Sequence, residues 1–205
     1  MSDKPSASRP PDSRPRTGAG APDSATGTAC LPGDPDPQAR IARILRVDQA
    51  GEYGARRIYE GQAAVLRRGP AARAIRHMHA QELRHLERFD ELLVERRVRP
   101  TLLQPLWHVA GFALGAATAL MGERAAMACT VAVEEVIDEH YARQAQQLGD
   151  DEAPLRETIE TFRQDELAHR DAGLAHGAEE APAYPVLKAA IKAGSRLAIW
   201  LSERL

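Results

Sequence analysis

Two Glu-x-x-His pairs, Glu82–His85 and Glu166–His169, sit at the centres of stripes that helical spacing would otherwise make almost wholly apolar. In steps of three and four, one stripe reads Ile75, Met78, Glu82, His85, Phe89, Leu92, and the other Leu155, Ile159, Phe162, Glu166, His169, Gly173, His176. Residues so spaced share one face of a helix, and a mainly apolar face is the one a helix buries. An acid and an imidazole one turn apart on that face converge on a single point. A buried carboxylate without a compensating charge is costly. These stripes therefore demand a fold that gathers inward-facing acids around something positive.

Helices can supply that fold. From Gln38 onward Ala, Leu, Arg, Glu and Gln dominate and no alternating strand pattern occurs, so an all-α domain is expected. Gly and Pro divide it. A first helix is predicted from about Pro37 to Gly69-Pro70, a second over 71–97, a third over 122–148 and a fourth over 154–176. A fifth, introduced by Pro182 and Pro185, runs nearly to Leu205. Between the second and third, Thr101–Met121 is apolar and far longer than a tight turn. A connection of that length makes the helices it joins parallel, and the ferritin-like four-helix bundle has one such crossover at its middle. The predicted fold is that bundle, with an apolar crossover and an extra C-terminal amphipathic helix.

The first and third helices each offer an inward carboxylate. One seam runs Leu45, Asp48, Glu52, Ala55, Tyr59, Gln62, Leu66; the other runs Met127, Val131, Glu134, Asp138, Tyr141. Glu135 competes with Glu134, and Val131 and Ile137, a turn either side, favour Glu134. Glu52 precedes Glu82 by 30 residues and Glu134 precedes Glu166 by 32, so the halves repeat. One Glu from each of two helices plus Glu-x-x-His from the other two is the ligand set of ferritin-like di-metal carboxylate proteins. Two divalent cations would balance the four carboxylates. The candidate ligands are thus Glu52, Glu82, His85, Glu134, Glu166 and His169, with Glu82 and Glu166 as bridges. Oxygen-rich donors with two imidazoles and no thiolate suit iron or manganese. His140, His176, Asp48 and Tyr141 lie close enough on these helices to support the ligands. His77, His79 and His108 read as surface residues, and Cys129 as a small core residue.

Composition narrows the class. Only Cys30 and Cys129 occur, too few and too far apart for a disulfide scaffold, a zinc ribbon or a rubredoxin-type iron site; a reducing compartment fits. A net charge of −2 gives no sign of nucleic-acid binding. Residues 1–37 hold eight prolines and no apolar periodicity, and read as a disordered tail ahead of the 38–205 domain. The tail lacks the apolar run of a secretory signal, and its acids outnumber its bases, unlike a transit peptide. The crossover, broken by Gln104, Pro105 and His108, is a poor spanning segment, and Trp107 suits a lipid interface. The last helix sets Leu187, Ile191, Leu197, Trp200 and Leu201 against Lys188, Lys192, Arg196 and Arg204. That is a basic amphipathic helix suited to an anionic membrane surface. The alternative is that both segments simply pack on the bundle.

The stretches RVDQAGEYGARRIYEGQ (46–62), RPTLLQPLWHVAGFALGAATALMG (99–122), AMACTVAVEEVIDEHY (126–141) and LAIWLSERL (197–205) strongly resemble the demethoxyubiquinone hydroxylase family, in order from about Ala39 to Leu205. The resemblance implies a di-iron monooxygenase, peripheral on the cytoplasmic face of a bacterial membrane, that hydroxylates a polyprenylated demethoxybenzoquinol with dioxygen. It places two iron ions on the six candidate ligands, preferring Glu134 to Glu135, and implies electrons from NADH or through the quinone. Its partners would be the quinol, the membrane surface, and other quinone-biosynthesis proteins or further copies of the chain. The rivals are a rubrerythrin-like peroxidase, which usually needs a Cys-x-x-Cys absent here, a ferritin-type iron store, and a non-enzymatic helical scaffold.

Overall fold

Helix α1 (Pro37–Val65) begins where its sequence allows a start. The Asp36 carboxylate accepts a bond from the Gln38 amide at 3.3 Å, and Pro37 occupies a first-turn position where its missing N–H costs nothing. The computed structural model describes residues 36–205. The predicted tail, Cys30 included, otherwise lies outside the described residues. Gly69, at φ +98°, makes a turn that other residues resist, and Pro70 opens α2 (Pro70–Glu95). Then follow α3 (Gln104–Leu120), α4 (Glu123–Gln147), α5 (Ala153–Ala175) and α6 (Tyr184–Ser202), with single 3₁₀ turns at Asp150–Glu152 and Ala178–Glu180. No strand occurs among the described residues. The crossover differs from the expectation in one respect: it is mostly a helix, α3. Pro105 falls in its first turn, so the residue that looked like a breaker acts as a starter.

Side-chain pairings fix the directions. Tyr59 meets Glu134, Glu52 meets Tyr141 and Asp48 meets Gln144, so α4 runs antiparallel to α1. His85 meets Asp165 and His169 meets Gln81, so α5 runs antiparallel to α2. Tyr53 lies by His108, and Ile58 by Gly115, so α3 runs parallel to α1. Because the short 66–69 loop reverses the chain, α2 and α4 are parallel, as the crossover length predicted. The fold is the all-α ferritin-like bundle, four helices (α1, α2, α4, α5) with α3 and α6 laid against them.

Small residues let α3 approach α1 closely. A Cβ at Gly115 would run into the Ile58 carbonyl, one at Gly111 would lie 2.9 Å from the Gly54 carbonyl, and one at Gly61 would meet Phe112 and Ala116 backbone. Backbone cannot yield as a flexible side chain can. Gly115→Ala is therefore expected to cost about 1–3 kcal/mol by overpacking, read as a lower denaturant midpoint. Unchanged stability would show that the two helices separate freely.

Helix α6 corrects the expectation drawn from its charges. Lys188 and Lys192 bind the Glu135 carboxylate at 2.5 and 2.8 Å, and Lys192 and Arg196 bind Glu139 at 3.1 and 2.9 Å. The basic face turns to α4, because acids one turn apart there outcompete water for it. Besides Arg196, what α6 leaves exposed is mainly apolar, including Val186, Leu197 and Trp200, and α3 adds Leu106 and Val109. No helix among the described residues is long and apolar enough to cross a membrane.

Candidate metal centre

The core is apolar at both ends of the bundle. Leu45, Phe89, Leu92, Leu155 and Ile159 pack one end, and Ile75, Met78, Met127, Ala128 and Val131 the other. Between them the seams carry their polar residues inward: Glu52, Glu82, His85, Glu134, Glu166 and His169 are all at most 2% exposed. The structure brings all six candidates together. Ligand-type atoms of Glu52, Glu82, His85 and Glu166 lie within 4.8 Å of one another, and so do those of Glu82, Glu134, Glu166 and His169. Glu82 and Glu166 belong to both groups, the geometry of two adjoining positions with shared acids. Glu135 stays outside, half-buried and held by the two lysines of α6.

One pair of candidate ligands is joined directly, His169 Nδ1 lying 3.0 Å from Glu166 Oε2, and the other ligand atoms converge without pairing. Nδ1 of His85 is 3.1 Å from Glu166 Oε1 and 3.5 Å from Glu52 Oε2, yet these atoms lack hydrogen-bond geometry. Six buried atoms here have no hydrogen-bond partner: Glu52 Oε2, both oxygens of Glu82, His85 Nδ1, Glu134 Oε2 and Glu166 Oε1. Buried polar atoms are normally paired, so six unpaired atoms converging on two points fit metal coordination.

The charge balance says the same. Burial, and then repulsion from Glu166, lifts the Glu82 and Glu134 carboxyls well above the usual range. Burial also pushes Glu166 up, to about 7, against the pull of His85. Glu52 is the exception: contact with His85, Glu82 and Tyr141 outweighs burial and holds it low. Burial opposes charge on both imidazoles. In His85 the neighbouring Glu166 and Glu52 overcome it and raise the ring to about 11; in His169 burial wins and the ring falls. Without metal, a proton on His85 serves as the cluster's cation, and that proton must leave before the ring can ligate.

Four residues outside the six hold them in place. Tyr141 donates to Glu52, as its seam position allowed. Tyr59 donates to Glu134 Oε1 at 2.6 Å. Burial keeps both phenols neutral by raising them well above their ordinary value. Behind the imidazoles, His85 Nε2 lies 3.0 Å from Asp165 Oδ2 and His169 Nε2 lies 3.2 Å from Gln81 Oε1. Each imidazole is thus anchored by the residue just before the shared Glu of the other half. The sequence reading missed Tyr59, Asp165 and Gln81 as supports. Their signal was there for the last two: each immediately precedes a Glu-x-x-His glutamate. Other expected supports sit elsewhere. His176 binds the Ala172 carbonyl at 2.8 Å. Asp48 and His140 bind Gln144, at 2.7 and 2.8 Å, rather than a candidate ligand. His77 and His108 are exposed, His79 is half-buried and Cys129 fully buried.

Removing a support behind a ligating imidazole typically costs 10–100-fold in affinity. Asp165→Ala and Gln81→Ala should each weaken metal binding by about that factor with the fold intact, measured by metal titration beside circular dichroism. Wild-type affinity in both variants would show that the anchors are incidental.

Beside the cluster lies a cavity of about 340 Å³ between α1, α3, α4 and α6. It is lined mostly by apolar and small residues, with Trp107 and Ser202 at one part of the wall and Asp48, His140 and Tyr141 at another. Tyr141 joins the two regions: it lines the cavity, and its hydroxyl reaches Glu52. The profile of the family described as Ubiquinone biosynthesis protein COQ7 matches residues 39–202. The chain belongs to the COQ7 family. It is 66% identical over 176 residues, 85% of this chain and 83% of the relative, to a 3-demethoxyubiquinol 3-hydroxylase of Rhodospirillum rubrum. To the human mitochondrial NADPH-dependent 3-demethoxyubiquinone 3-hydroxylase it is 56% identical, over 82% of this chain and 79% of the relative. A mitochondrial 5-demethoxyubiquinone hydroxylase of Saccharomyces cerevisiae is 43% identical, over 80% of this chain and 78% of the relative. These COQ7-family similarities span the whole bundle, so every residue described at the centre falls within the matched range.

Proposed function

We propose that the chain is a di-iron monooxygenase of ubiquinone biosynthesis that hydroxylates the ring of a polyprenylated demethoxybenzoquinol with dioxygen. The observation that carries this reading is the junction at Tyr141. There a buried pair of Glu/His clusters abuts an apolar cavity of ligand size. Glu52, Glu82, His85 and Glu166 would hold one iron, and Glu82, Glu134, Glu166 and His169 the other. Two ferrous ions bound there supply the electrons by which dioxygen is activated for insertion into the ring.

The chain's own residues do the rest. The apolar core at either end of the cluster keeps water away. Tyr59 and Tyr141 fix one terminal carboxylate each, and Asp165 and Gln81 fix the imidazole rings. The cavity holds the quinol ring beside Tyr141, and its volume is too small for a long polyprenyl chain as well. We place the tail along the exposed apolar residues of α3 and α6, laid on the cytoplasmic face of a membrane. A reduced nicotinamide, NADH by the sequence resemblance and NADPH in the name of the human relative, provides the electrons. An apolar cavity against the cluster has no use in an iron store, which sets the ferritin-type alternative behind, and the sequence lacks the Cys-x-x-Cys that the peroxidase usually needs.

Quinone profiling by mass spectrometry tests the reading, in cells lacking this gene and after its return. Demethoxyubiquinone should accumulate in the deleted strain and convert to ubiquinone on complementation. Normal ubiquinone in the deleted strain, with no second hydroxylase present, would overturn it.

A further inference from the structure

A centre whose ligands are at most 2% exposed needs a way in, and its sides differ in what they offer a cation. The apolar ends and the mainly apolar cavity give a hydrated ion little to replace its water, which is costly to remove. On α1, Arg56 and Arg57 both pair with Glu60 and leave a net positive charge. Between α4 and α5 the packing is tight: a Cβ at Gly173 would lie 2.8 Å from Val131. The α2–α5 seam is different. Of the four residues that hold the ligands in place, Tyr59 and Tyr141 are buried, whereas Asp165 and Gln81 reach solvent, and both stand on this seam. The Asp165 side chain is 39% exposed, and His85 is its one ion-pair partner among the described residues. Arg88, a turn along α2, pairs with Glu91 and Glu95 instead. The imidazoles span the remaining depth. His85 turns Nε2 to Asp165 and Nδ1 to Glu52 Oε2 and Glu166 Oε1, two of the unpaired oxygens. His169 likewise turns Nε2 to Gln81 and Nδ1 to Glu82 and Glu166. From this side the cluster lies one ring below a solvent-exposed carboxylate.

We propose that the α2–α5 seam is the entry for metal ions, with the Asp165 carboxylate as the docking group at its mouth. The assignment rests on the di-metal reading of the centre and adds a route to it. Asp165 then has two tasks. It anchors the His85 ring, and its charge concentrates cations where the path to the buried acids is shortest. A carboxylate at the mouth of a cleft raises the association rate of cations about tenfold or more at low salt, and added salt screens the effect. An anchor alone would act differently, by slowing the release of bound metal and leaving its arrival unchanged.

The test mixes the metal-free full chain with cobalt(II) chloride, follows the visible absorption of the bound ion, and then times its release to a chelator. Asp165→Asn keeps an acceptor for His85 and loses the charge. It should slow uptake at least about tenfold at low salt, flatten the salt dependence seen in the parent, and release cobalt no faster than the parent does. Asp165→Glu should recover most of the rate. Ala198→Phe, which fills part of the cavity on the far side of the cluster, should load at the parent rate. Parent-like uptake with faster release in Asp165→Asn would reduce Asp165 to an anchor and overturn the route. So would slow uptake in Ala198→Phe. A parent chain that takes up no cobalt would remove the di-metal reading together with the route, whereas full loading at an unchanged rate in every variant removes the route alone.

Discussion

Glu166→Ala is expected to strip the centre of both metal ions and to abolish hydroxylation. Glu166 belongs to both four-residue groups, so its loss leaves each position three donors, and only one shared acid remains. The effect should be all or none: metal per chain near zero by elemental analysis, and turnover reduced by three orders of magnitude or more, on the order expected when the catalytic group itself is lost. The variant should still fold, because it removes a buried carboxylate that its neighbours repel. Retained hydroxylation in Glu166→Ala would sink the ligand assignment. The same change at Glu135 should leave metal content intact, since that side chain is engaged by Lys188 and Lys192 outside the cluster.

The second large effect is on the metal-free chain, whose stability should fall as pH rises. Burial raises the Glu166 carboxyl from its ordinary 4.5 to about 7 on folding, so its contribution is fully present below 4.5 and is lost as pH rises through 7. That one group is worth about 3 kcal/mol across the window. Glu82 and Glu134, raised for the same reason, act in the same direction. His85, raised from 6.5 to about 11, adds a further loss above pH 6.5. His169, lowered by burial, and Glu52, held low by His85, oppose the trend only below 6.5 and 4.5 respectively. Thermal melts of chelated protein at pH 5, 6.5 and 8 should therefore show a descending Tm. With metal bound, the carboxylates are ionised throughout and the descent should flatten or reverse. A chelated protein most stable at pH 8 would mean that the four acids do not face one another as described.

The site was more legible in the sequence than the surfaces around it. Four inward acids and two histidines stand out because they break apolar stripes, and a stripe has only one buried side. Glu134 could be preferred over Glu135 on that ground alone, and the α6 lysines explain what the other acid is for. Periodicity cannot see across helices. It gave Tyr59 and Tyr141 as seam residues without showing which carboxylates they meet, and it left Asp165 and Gln81 unnoticed because each lies off the stripe centre. The charges of α6 misled for a related reason: a basic face looks alike whether it meets lipid or the acids of α4. In the crossover Pro105 marks a helix start, and α3 is no spanning segment, as its interruptions implied.

The anchoring of each imidazole by the opposite half has a mechanical consequence. Helices α1 and α2 form one hairpin, α4 and α5 another, and each metal position takes three residues from one hairpin and one from the other. Neither hairpin can finish a position alone, and the crossed contacts His85–Asp165 and His169–Gln81 tie the same two hairpins together. On the di-metal reading, the loaded centre is a rivet driven through the bundle. Loading it clamps the hairpins, and unloading it frees them to breathe along the α2–α5 seam, where amide hydrogen exchange would register the difference far from any substrate.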